Sequence, residues 1–409
     1  MPFSAHPITV TSSAAPPTRW LHLDWLRIIA FALLVPYHVG MVFVSWPYHF
    51  KHLPAVMALE PWLRLTSPWR MDLLFVVSGA ATAFMLRRAG AASAPLLRQR
   101  LRRLLWPLAV GILLVVPPQS WLEVQQRFAY DGDYGQFMGL YLTGYRGFCE
   151  VATSTGTHCL ILPTWNHLWY LPYLASYTAL LWWALRAWPV ALDLGAAAVT
   201  RWLGRRACGQ AAGALRLLLP PVALLLVIRL TLGLRFPPSH ALVDDWMQHA
   251  QYLLMFGFGA LLAHTPALRP VLIAQRWAAL VLAGLAWALL VWALPSDAAW
   301  RPERALAYTV QQWCAIVAAL GFADRHFQRE GRWWMRWRRW LSDAVFPLYI
   351  LHQTLIVVGA RLLAPLHWPW PIQAAVLVLA TLSLGLGSAW LLARVRWQPL
   401  RIAFGLKPA

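Results

Sequence analysis

Long apolar segments recur along almost the whole chain, and no other feature restricts its fold so strongly. Hydrophobic residues make up 60% of the 409 residues and charged residues only 12%, whereas soluble proteins carry about 25% charged residues. Inside a lipid bilayer every backbone N–H and C=O must be hydrogen-bonded within the protein, and an α-helix achieves this within one segment. The sequence therefore predicts an all-α fold, a polytopic bundle of membrane-spanning helices.

The arginine residues predict how this bundle is oriented. They occur in short clusters at every second connection between apolar segments, as in 98–103, 201–206 and 325–339, and cytoplasmic loops of membrane proteins carry such an excess of Arg and Lys. We therefore predict a multi-pass protein of the cell inner membrane with about ten spans and both termini in the cytoplasm. The predicted spans are about 22–45, 67–87, 104–121, 165–186, 217–234, 247–264, 277–294, 304–323, 342–363 and 372–393.

Charge and cysteine content argue against two other kinds of protein. The net charge of +20 is divided among the connections, whereas a nucleic-acid-binding protein concentrates its basic residues on one soluble face. The Cys and His residues lack the spacing of metal ligands, so we expect no metal site. Cys149 and Cys159 lie in the same predicted external loop, and whether they pair in an oxidising periplasm stays open.

Several segments lie outside the predicted spans. Residues 1–20 are rich in Pro, Ser and Thr and are predicted to be a disordered cytoplasmic N-terminus. Residues 21–396 form the transmembrane domain, and 397–409 are a cytoplasmic tail. The stretch 122–164 has little hydrophobic periodicity and is predicted to be an external loop. In 325–340 Arg and Trp alternate, which predicts an amphipathic helix on the cytoplasmic membrane surface.

The first span carries two ionisable residues, Arg27 and His38. On an α-helix they are about three turns apart, roughly 16 Å along the axis, and lie on nearly the same face. Ionisable residues within a span usually face the interior of the bundle and mark a functional site. Alternatively, Arg27 extends to the lipid headgroups and His38 hydrogen-bonds a neighbouring helix.

Three further spans bring polar side chains to the outer half of the bundle, where His38 lies. Asp72 enters the second span from its outer end, and His352 lies about three turns into the ninth. The fourth span opens with Trp165, Asn166 and His167. Because polar side chains in lipid normally face an internal cavity, we expect these residues to converge near His38.

Each of these residues also has a simpler structural interpretation. His167 lies at a span end, where it suits the membrane interface. His352 suits a hydrogen bond between helices. Asp72 suits an ion pair with Arg70 or Arg64 at the membrane boundary.

Short motifs, in order along the chain, resemble those of the membrane acyltransferase 3 family. The sequence LDWLR at 23–27, followed by His38, resembles the family's Arg and His separated by ten residues. The other motifs are DLLFVVSG at 72–79, RLRR at 100–103, HLWYL at 167–171 and FPLYILHQ at 346–353. Leu74 and Ala80 stand where the family often has aromatic residues. The similarity covers nearly the full length, so residues 21–396 are expected to be an acyltransferase 3-like domain.

The resemblance implies an O-acyltransferase that depends on acyl-CoA. It moves an acyl group, succinyl or acetyl, from cytoplasmic acyl-CoA to a hydroxyl of an extracytoplasmic glycan such as a periplasmic glucan. Acyl-CoA is then a cosubstrate, and no permanently bound cofactor is expected. Arg27, Arg100 and Arg103 suit the phosphates of coenzyme A. Membrane lipid surrounds the protein, and glycan-synthesis machinery is a further expected partner.

The chemistry requires a base for the sugar hydroxyl, and His38 suits this role. Asp72 is predicted to orient His38, as in a catalytic triad. The predicted acceptor or oxyanion site comprises Trp165, Asn166, His167 and His352. Direct transfer is favoured because neither a Cys nor an activated Ser accompanies His38, and an acyl-histidine intermediate is the alternative.

Two other classes of function remain as alternatives. In a transporter of an anion or a glycan precursor, Arg27 and His38 would line the path. In a non-catalytic scaffold they would serve the assembly of an envelope polymer. Glycan-dependent consumption of acyl-CoA distinguishes the enzyme from a transporter, which would instead show ion flux in liposomes.

Overall fold

Helices make up almost the whole structure. The computed structural model describes residues 20–88, 93–152, 156–204, 210–294, 301–328 and 331–406, and it is 79% helical, which confirms the all-α prediction. The helices are α1 (Leu21–Ala32), α2 (Leu34–Phe43), α3 (Glu60–Thr66), α4 (Arg70–Arg88), α5 (Ala94–Val110), α6 (Pro117–Arg127), α7 (Tyr134–Thr143), α8 (Tyr170–Ala187), α9 (Ala191–Gly204), α10 (Gln210–Thr231), α11 (Trp246–Leu262), α12 (Leu268–Ala288), α13 (Pro302–His326), α14 (Arg332–Leu363), α15 (Trp370–Arg394) and α16 (Gln398–Ala403). Within these ranges two strands, β1 (Cys149–Ala152) and β2 (Gly156–Cys159), pair as an antiparallel hairpin.

Many of these helices are suited to a membrane. Seven helical segments of the described residues are long and apolar enough to span one: Leu21–Phe43, Met57–Arg87, Ala212–Thr231, Leu268–Ala293, Pro302–His326, Arg332–Leu366 and Trp370–Arg394. The pair Ala94–Val115 and Pro117–Arg127, bent by 45°, makes an eighth if it forms one span. The predicted count of about ten and the cytoplasmic termini are therefore not confirmed. Of the remaining predicted spans, α11 has only 17 residues, and α8 is rich in Tyr and Trp, which are less apolar than aliphatic residues.

Helix α11 is nevertheless packed closely against α4. A Cβ atom at Gly79 would lie 1.9 Å from the carbonyl oxygen of Phe256, and one at Gly259 would lie 1.9 Å from the carbonyl oxygen of Val76. Two helix backbones approach so closely only where the contact residues are small, as is common in membrane bundles. This contact fixes the position of α4.

The first span is interrupted near its middle. Leu33 separates α1 from α2, and Pro36 removes a helical N–H donor close to the break. Nη1 of Arg338 in α14 donates to Oδ2 of Asp24 in α1 at 2.7 Å, and Arg338 is buried. This ion pair holds the start of the first span against α14.

Two segments differ from their sequence-based prediction. The Arg- and Trp-rich stretch 325–340 was expected to be a separate interfacial helix, but from Arg332 onward it forms the first turns of α14. No Gly or Pro occurs from Arg332 to Phe346, so the helix continues into the span.

The stretch 122–164, predicted to be an irregular loop, contains the end of α6, all of α7 and the β-hairpin. Helix α7 begins with a capping box, in which Asp133 and Gln136 each accept a hydrogen bond from the other's backbone N–H. Cys149 and Cys159 face each other in the hairpin and form a disulfide. The open question of their pairing is thus answered.

The predicted terminal segments are described only in part. Residues 1–19 and 407–409 lie outside the described residues, so the disordered N-terminus predicted for 1–20 stays a prediction. Residues 398–403 of the predicted tail form α16.

Candidate functional site

Side chains from several elements surround a cavity of about 440 Å³. It is lined by the imidazoles of His38 in α2, His167 in the turn before α8 and His352 in α14. Trp165 and Asn166 line it as well. The structure thus brings together, in what we call the histidine cavity, five residues that the sequence indicated.

Hydrogen bonds determine where the protons of His38 and His352 lie. Nδ1 of His352 is 2.7 Å from the carbonyl oxygen of Tyr349, which only accepts, so this nitrogen carries the proton. Nε2 of His352 is then an acceptor, and it lies 3.2 Å from Nδ1 of His38. Nδ1 of His38 also lies 3.0 Å from the carbonyl oxygen of Leu34, so it donates. It follows that Nε2 of neutral His38 is unprotonated and carries a lone pair.

His167 has the opposite tautomer, with its proton on Nε2. Its Nε2 donates to the carbonyl oxygen of Ile350 at 2.9 Å, so its Nδ1 carries the lone pair. This Nδ1 is buried and has no hydrogen-bond partner among the described residues. The ring packs edge-on against His352, with the ring centroids 5.0 Å apart. His167 therefore presents an unused acceptor inside the protein.

Amide side chains support the same wall of the cavity. Oε1 of Gln119 accepts from Nδ2 of Asn166 at 3.3 Å and from Nε2 of Gln353 at 3.1 Å. Nε1 of Trp165 donates to the carbonyl oxygen of His240 at 3.1 Å. His240 lies in the connection between α10 and α11, where burial lowers the pKa of its imidazole. These bonds fix Trp165 and Asn166 in place.

Sequence reasoning missed a histidine–carboxylate pair at the cavity. His49 lines it, and Nδ1 of His49 lies 2.5 Å from Oε2 of Glu123. Arg127 donates to Glu123 at 2.8 Å and to both carboxylate oxygens of Glu150 at 2.8 and 2.6 Å. No local sequence pattern indicates these contacts, because His49 and Glu123 are 74 positions apart.

Asp72 lies elsewhere in the bundle. It is buried, and Nε2 of Gln251 donates to its two carboxylate oxygens at 3.0 and 3.2 Å. In the described part of the chain no hydrogen bond connects Asp72 with His38, and no ion pair connects it with Arg70 or Arg64. Its orienting role stays a prediction that no contact supports.

Arg27, Arg100 and Arg103 form a second polar group, which we call the arginine cluster. They are close enough for their charges to act on one another. Nη2 of Arg27 donates to the carbonyl oxygen of Ser342 at 3.1 Å, and Nε of Arg103 donates to that of Gly405 at 3.3 Å. Like charges held together in this way are suited to an anion with several charges.

Three aromatic side chains separate the arginine cluster from the histidine cavity. Phe31, Tyr170 and Tyr349 are buried and mutually in contact, with ring centroids 5.4 to 6.4 Å apart. Tyr349 lines the cavity, whereas Tyr170 lies within reach of the charges of Arg27 and Arg100. We call these rings the aromatic layer, because they lie between the two groups.

Comparison with known proteins gives one match. The model of the acyltransferase 3 family matches residues 20–394. It describes an acyltransferase domain. No curated protein and no solved structure matches the chain. The matched region contains both the histidine cavity and the arginine cluster.

Proposed function

Because the chain belongs to the acyltransferase 3 family, we propose that it is a membrane O-acyltransferase that uses cytoplasmic acyl-CoA and acylates a hydroxyl of an extracytoplasmic glycan. Within this family, the motifs quoted from the sequence lead us to propose that the chain corresponds to glucan biosynthesis protein C, a glucan succinyltransferase. The proposed acceptor is therefore a periplasmic glucan, the acyl group is succinyl or acetyl, and the site of action is the inner membrane.

The histidine cavity supplies the base for this reaction. Nε2 of His38 takes the proton of the acceptor hydroxyl while the hydroxyl oxygen attacks the thioester carbonyl carbon, and a C–O bond forms. The C–S bond then breaks, and the thiolate of coenzyme A receives the proton from His38. The products are the glycan ester and free coenzyme A, and His38 is neutral again.

His352 acts on this step through His38. Its Nε2 accepts from Nδ1 of His38, which keeps the proton on Nδ1 and the lone pair on Nε2. When His38 gains a second proton, the same contact stabilises the imidazolium, as the third member of a triad does. His352 thus takes the role that the sequence had suggested for Asp72.

The donor binds from the side of the arginine cluster. Arg27, Arg100 and Arg103 would hold the phosphates of acyl-CoA, since guanidinium groups bind phosphate through two parallel hydrogen bonds. The thin arm of the cofactor would pass the aromatic layer and bring the thioester to His38. Because the three rings are in contact, they must separate for this to happen.

The acceptor binds to other side chains that line the cavity. Trp165 offers an apolar ring face, and Asn166, His167 and His49 offer hydrogen-bonding groups. A sugar ring presents both kinds of surface, and small-molecule sites combine apolar walls with a few fixed polar groups in the same way.

One observation carries this proposal: Nε2 of His38 is unprotonated in the cavity of a chain that belongs to an acyltransferase family. The test uses the full chain in lipid nanodiscs, with acyl-CoA and a periplasmic glucan. We expect release of free coenzyme A that depends on the glucan, and a glucan product heavier by one acyl group in mass spectrometry. Coenzyme A release without any ester, or ion flux in liposomes that needs no acyl-CoA, would contradict it.

A further inference from the structure

Arg70 is a buried cation on the wall of the histidine cavity. It is 3% exposed, and it lines the cavity together with Tyr37 and His38. Its guanidinium carbon lies 3.7 Å from the centre of the Tyr37 ring, and its Nη1 donates to Oγ1 of Thr66 at 3.2 Å. These two contacts hold the side chain in one position.

The charge of Arg70 lacks an acidic partner. Among the described residues no carboxylate lies within ion-pair distance of it, and its buried Nε has no hydrogen-bond partner. A buried charge without a counter-charge is costly, and stacking on Tyr37 offsets only part of that cost.

The surrounding backbone adds to the imbalance. Arg70 is the first residue of α4, and the N-terminus of a helix favours anions and disfavours cations. Two positive features, the guanidinium and the helix end, therefore meet at one point of the cavity wall. Both are complemented by a negative group that enters the cavity.

The position of Arg70 beside the reacting imidazole indicates when this negative group arises. Tyr37, on which Arg70 stacks, directly precedes His38, and the charge of Arg70 acts on both His38 and His352. A thioester and a hydroxyl bring no charge to the reacting carbon. A negative charge appears beside this carbon, on the former carbonyl oxygen, only when the hydroxyl oxygen has attacked and the carbonyl π electrons have moved to oxygen.

We propose that Arg70 binds this oxyanion and is a further catalytic residue of the cavity. The inference rests on the proposed acyl transfer. The new C–O bond places the negative oxygen one bond from the carbon under attack, and the guanidinium of Arg70 donates to it. When the C–S bond breaks, the electron pair returns to the carbonyl group, and the thiolate carries the charge away until it takes the proton from His38. A preformed donor of this kind stabilises the transition state more than the substrate.

The chain offers a matched control in Arg229. Its guanidinium carbon lies 3.7 Å from the centre of the Tyr308 ring, and its Nε is also buried and without a hydrogen-bond partner among the described residues. Arg229 is in α10 and does not line the histidine cavity. It therefore reports what the loss of a stacked, partly buried guanidinium does to the protein in general.

The experiment measures kcat and KM of the full chain in nanodiscs for acetyl-CoA and for succinyl-CoA, with glucan as acceptor. We expect Arg70→Gln to lower kcat about 100- to 1,000-fold with both donors, the usual cost of losing one oxyanion donor, with KM changed by less than about threefold. Arg70→Lys keeps the charge but loses the two parallel N–H donors of the guanidinium, so its kcat should fall only about tenfold. Arg229→Gln should stay within about threefold of the wild type.

Three outcomes would overturn the proposal. The first is a wild-type kcat in Arg70→Gln. The second is a loss confined to succinyl-CoA, which would assign Arg70 to the carboxylate of the acyl chain. The third is a wild-type protein that turns over neither donor, in which case the proposed function itself fails and this inference with it.

A second variant guards against misfolding. If Arg70→Gln does not give a monodisperse, cooperatively melting protein, Thr66→Val takes its place, because it removes only the hydrogen bond that orients Nη1 of Arg70. We expect it to lower kcat about five- to tenfold with both donors. An unchanged kcat in a folded Thr66→Val protein would contradict the assignment.

Discussion

The histidine cavity and the arginine cluster each contain a residue of the first span, His38 and Arg27, yet they differ in how their polar groups are hydrogen-bonded. In the cavity His38, His352 and Tyr349 form one hydrogen-bonded chain that fixes the ring protons of His38 and His352. In the cluster three like charges lie close together, and Nε of Arg100 has no hydrogen-bond partner among the described residues. In the proposed function the cavity transfers a proton and must be ordered before the substrate arrives, whereas the cluster would bind phosphates and be completed by them. Changes in the cavity should therefore lower kcat, and changes in the cluster should raise KM for acyl-CoA.

Replacement of His38 gives the largest expected effect. His38→Ala removes the base, and we expect kcat to fall about 1,000-fold, within the range for general base catalysis, while the protein stays folded in the membrane. His264→Ala is the control, because Nδ1 of His264 bonds the carbonyl oxygen of Ala260 at 3.1 Å much as His38 bonds that of Leu34. Steady-state kinetics in nanodiscs measure both variants. Wild-type turnover in His38→Ala would remove the cavity from the mechanism.

Replacement of His352 should have a smaller effect on the same parameter. His352→Ala deprives Nδ1 of His38 of an acceptor, and the loss of one buried hydrogen bond corresponds to about 10- to 100-fold in kcat. In His352→Gln the amide oxygen can accept from His38, so this variant should recover most of the loss. The pH profile of kcat for both variants provides the measurement. Equal kcat in the Ala and Gln variants would mean that His352 does not position His38.

The arginine cluster should respond in KM rather than in kcat. Arg100→Gln removes one charge-assisted contact to phosphate, so we expect KM for acyl-CoA to rise about tenfold or more, with kcat within about threefold of the wild type. Arg102→Gln, at an exposed position of the same helix, serves as the control. If Arg100→Gln lowered kcat at constant KM, the contrast between the two regions would be wrong.

The sequence predicted those features that depend on local patterns. The apolar segments predicted an all-α membrane fold, because a bilayer admits few other structures. Polar residues within the spans pointed to His38, His167 and His352, which the structure brings to one cavity. Their polarity alone carried this information, because such residues are rarely tolerated facing lipid.

Other features depend on how the helices pack, and no local pattern encodes them. Glu123 lay in a stretch predicted to be irregular, so its contact with His49 had no sequence signal. Asp72 looked like a partner for His38, but the packing of α4 against α11 places it beside Gln251. The predicted number of spans differs from the number of candidate spans for a related reason. Helix α11 has only 17 residues, short for a span, yet it packs closely against α4.

The aromatic layer of Phe31, Tyr170 and Tyr349 has a consequence for the cell as a whole. An enzyme whose donor comes from one side of a membrane and whose acceptor comes from the other needs a hole through the bilayer, and such a hole would discharge the proton gradient. Phe31, Tyr170 and Tyr349 pack against one another where such a hole would have to pass. If the arm of acyl-CoA alone parts them, it also fills the gap that it makes, so the cell could decorate its envelope without losing the energy stored across the membrane.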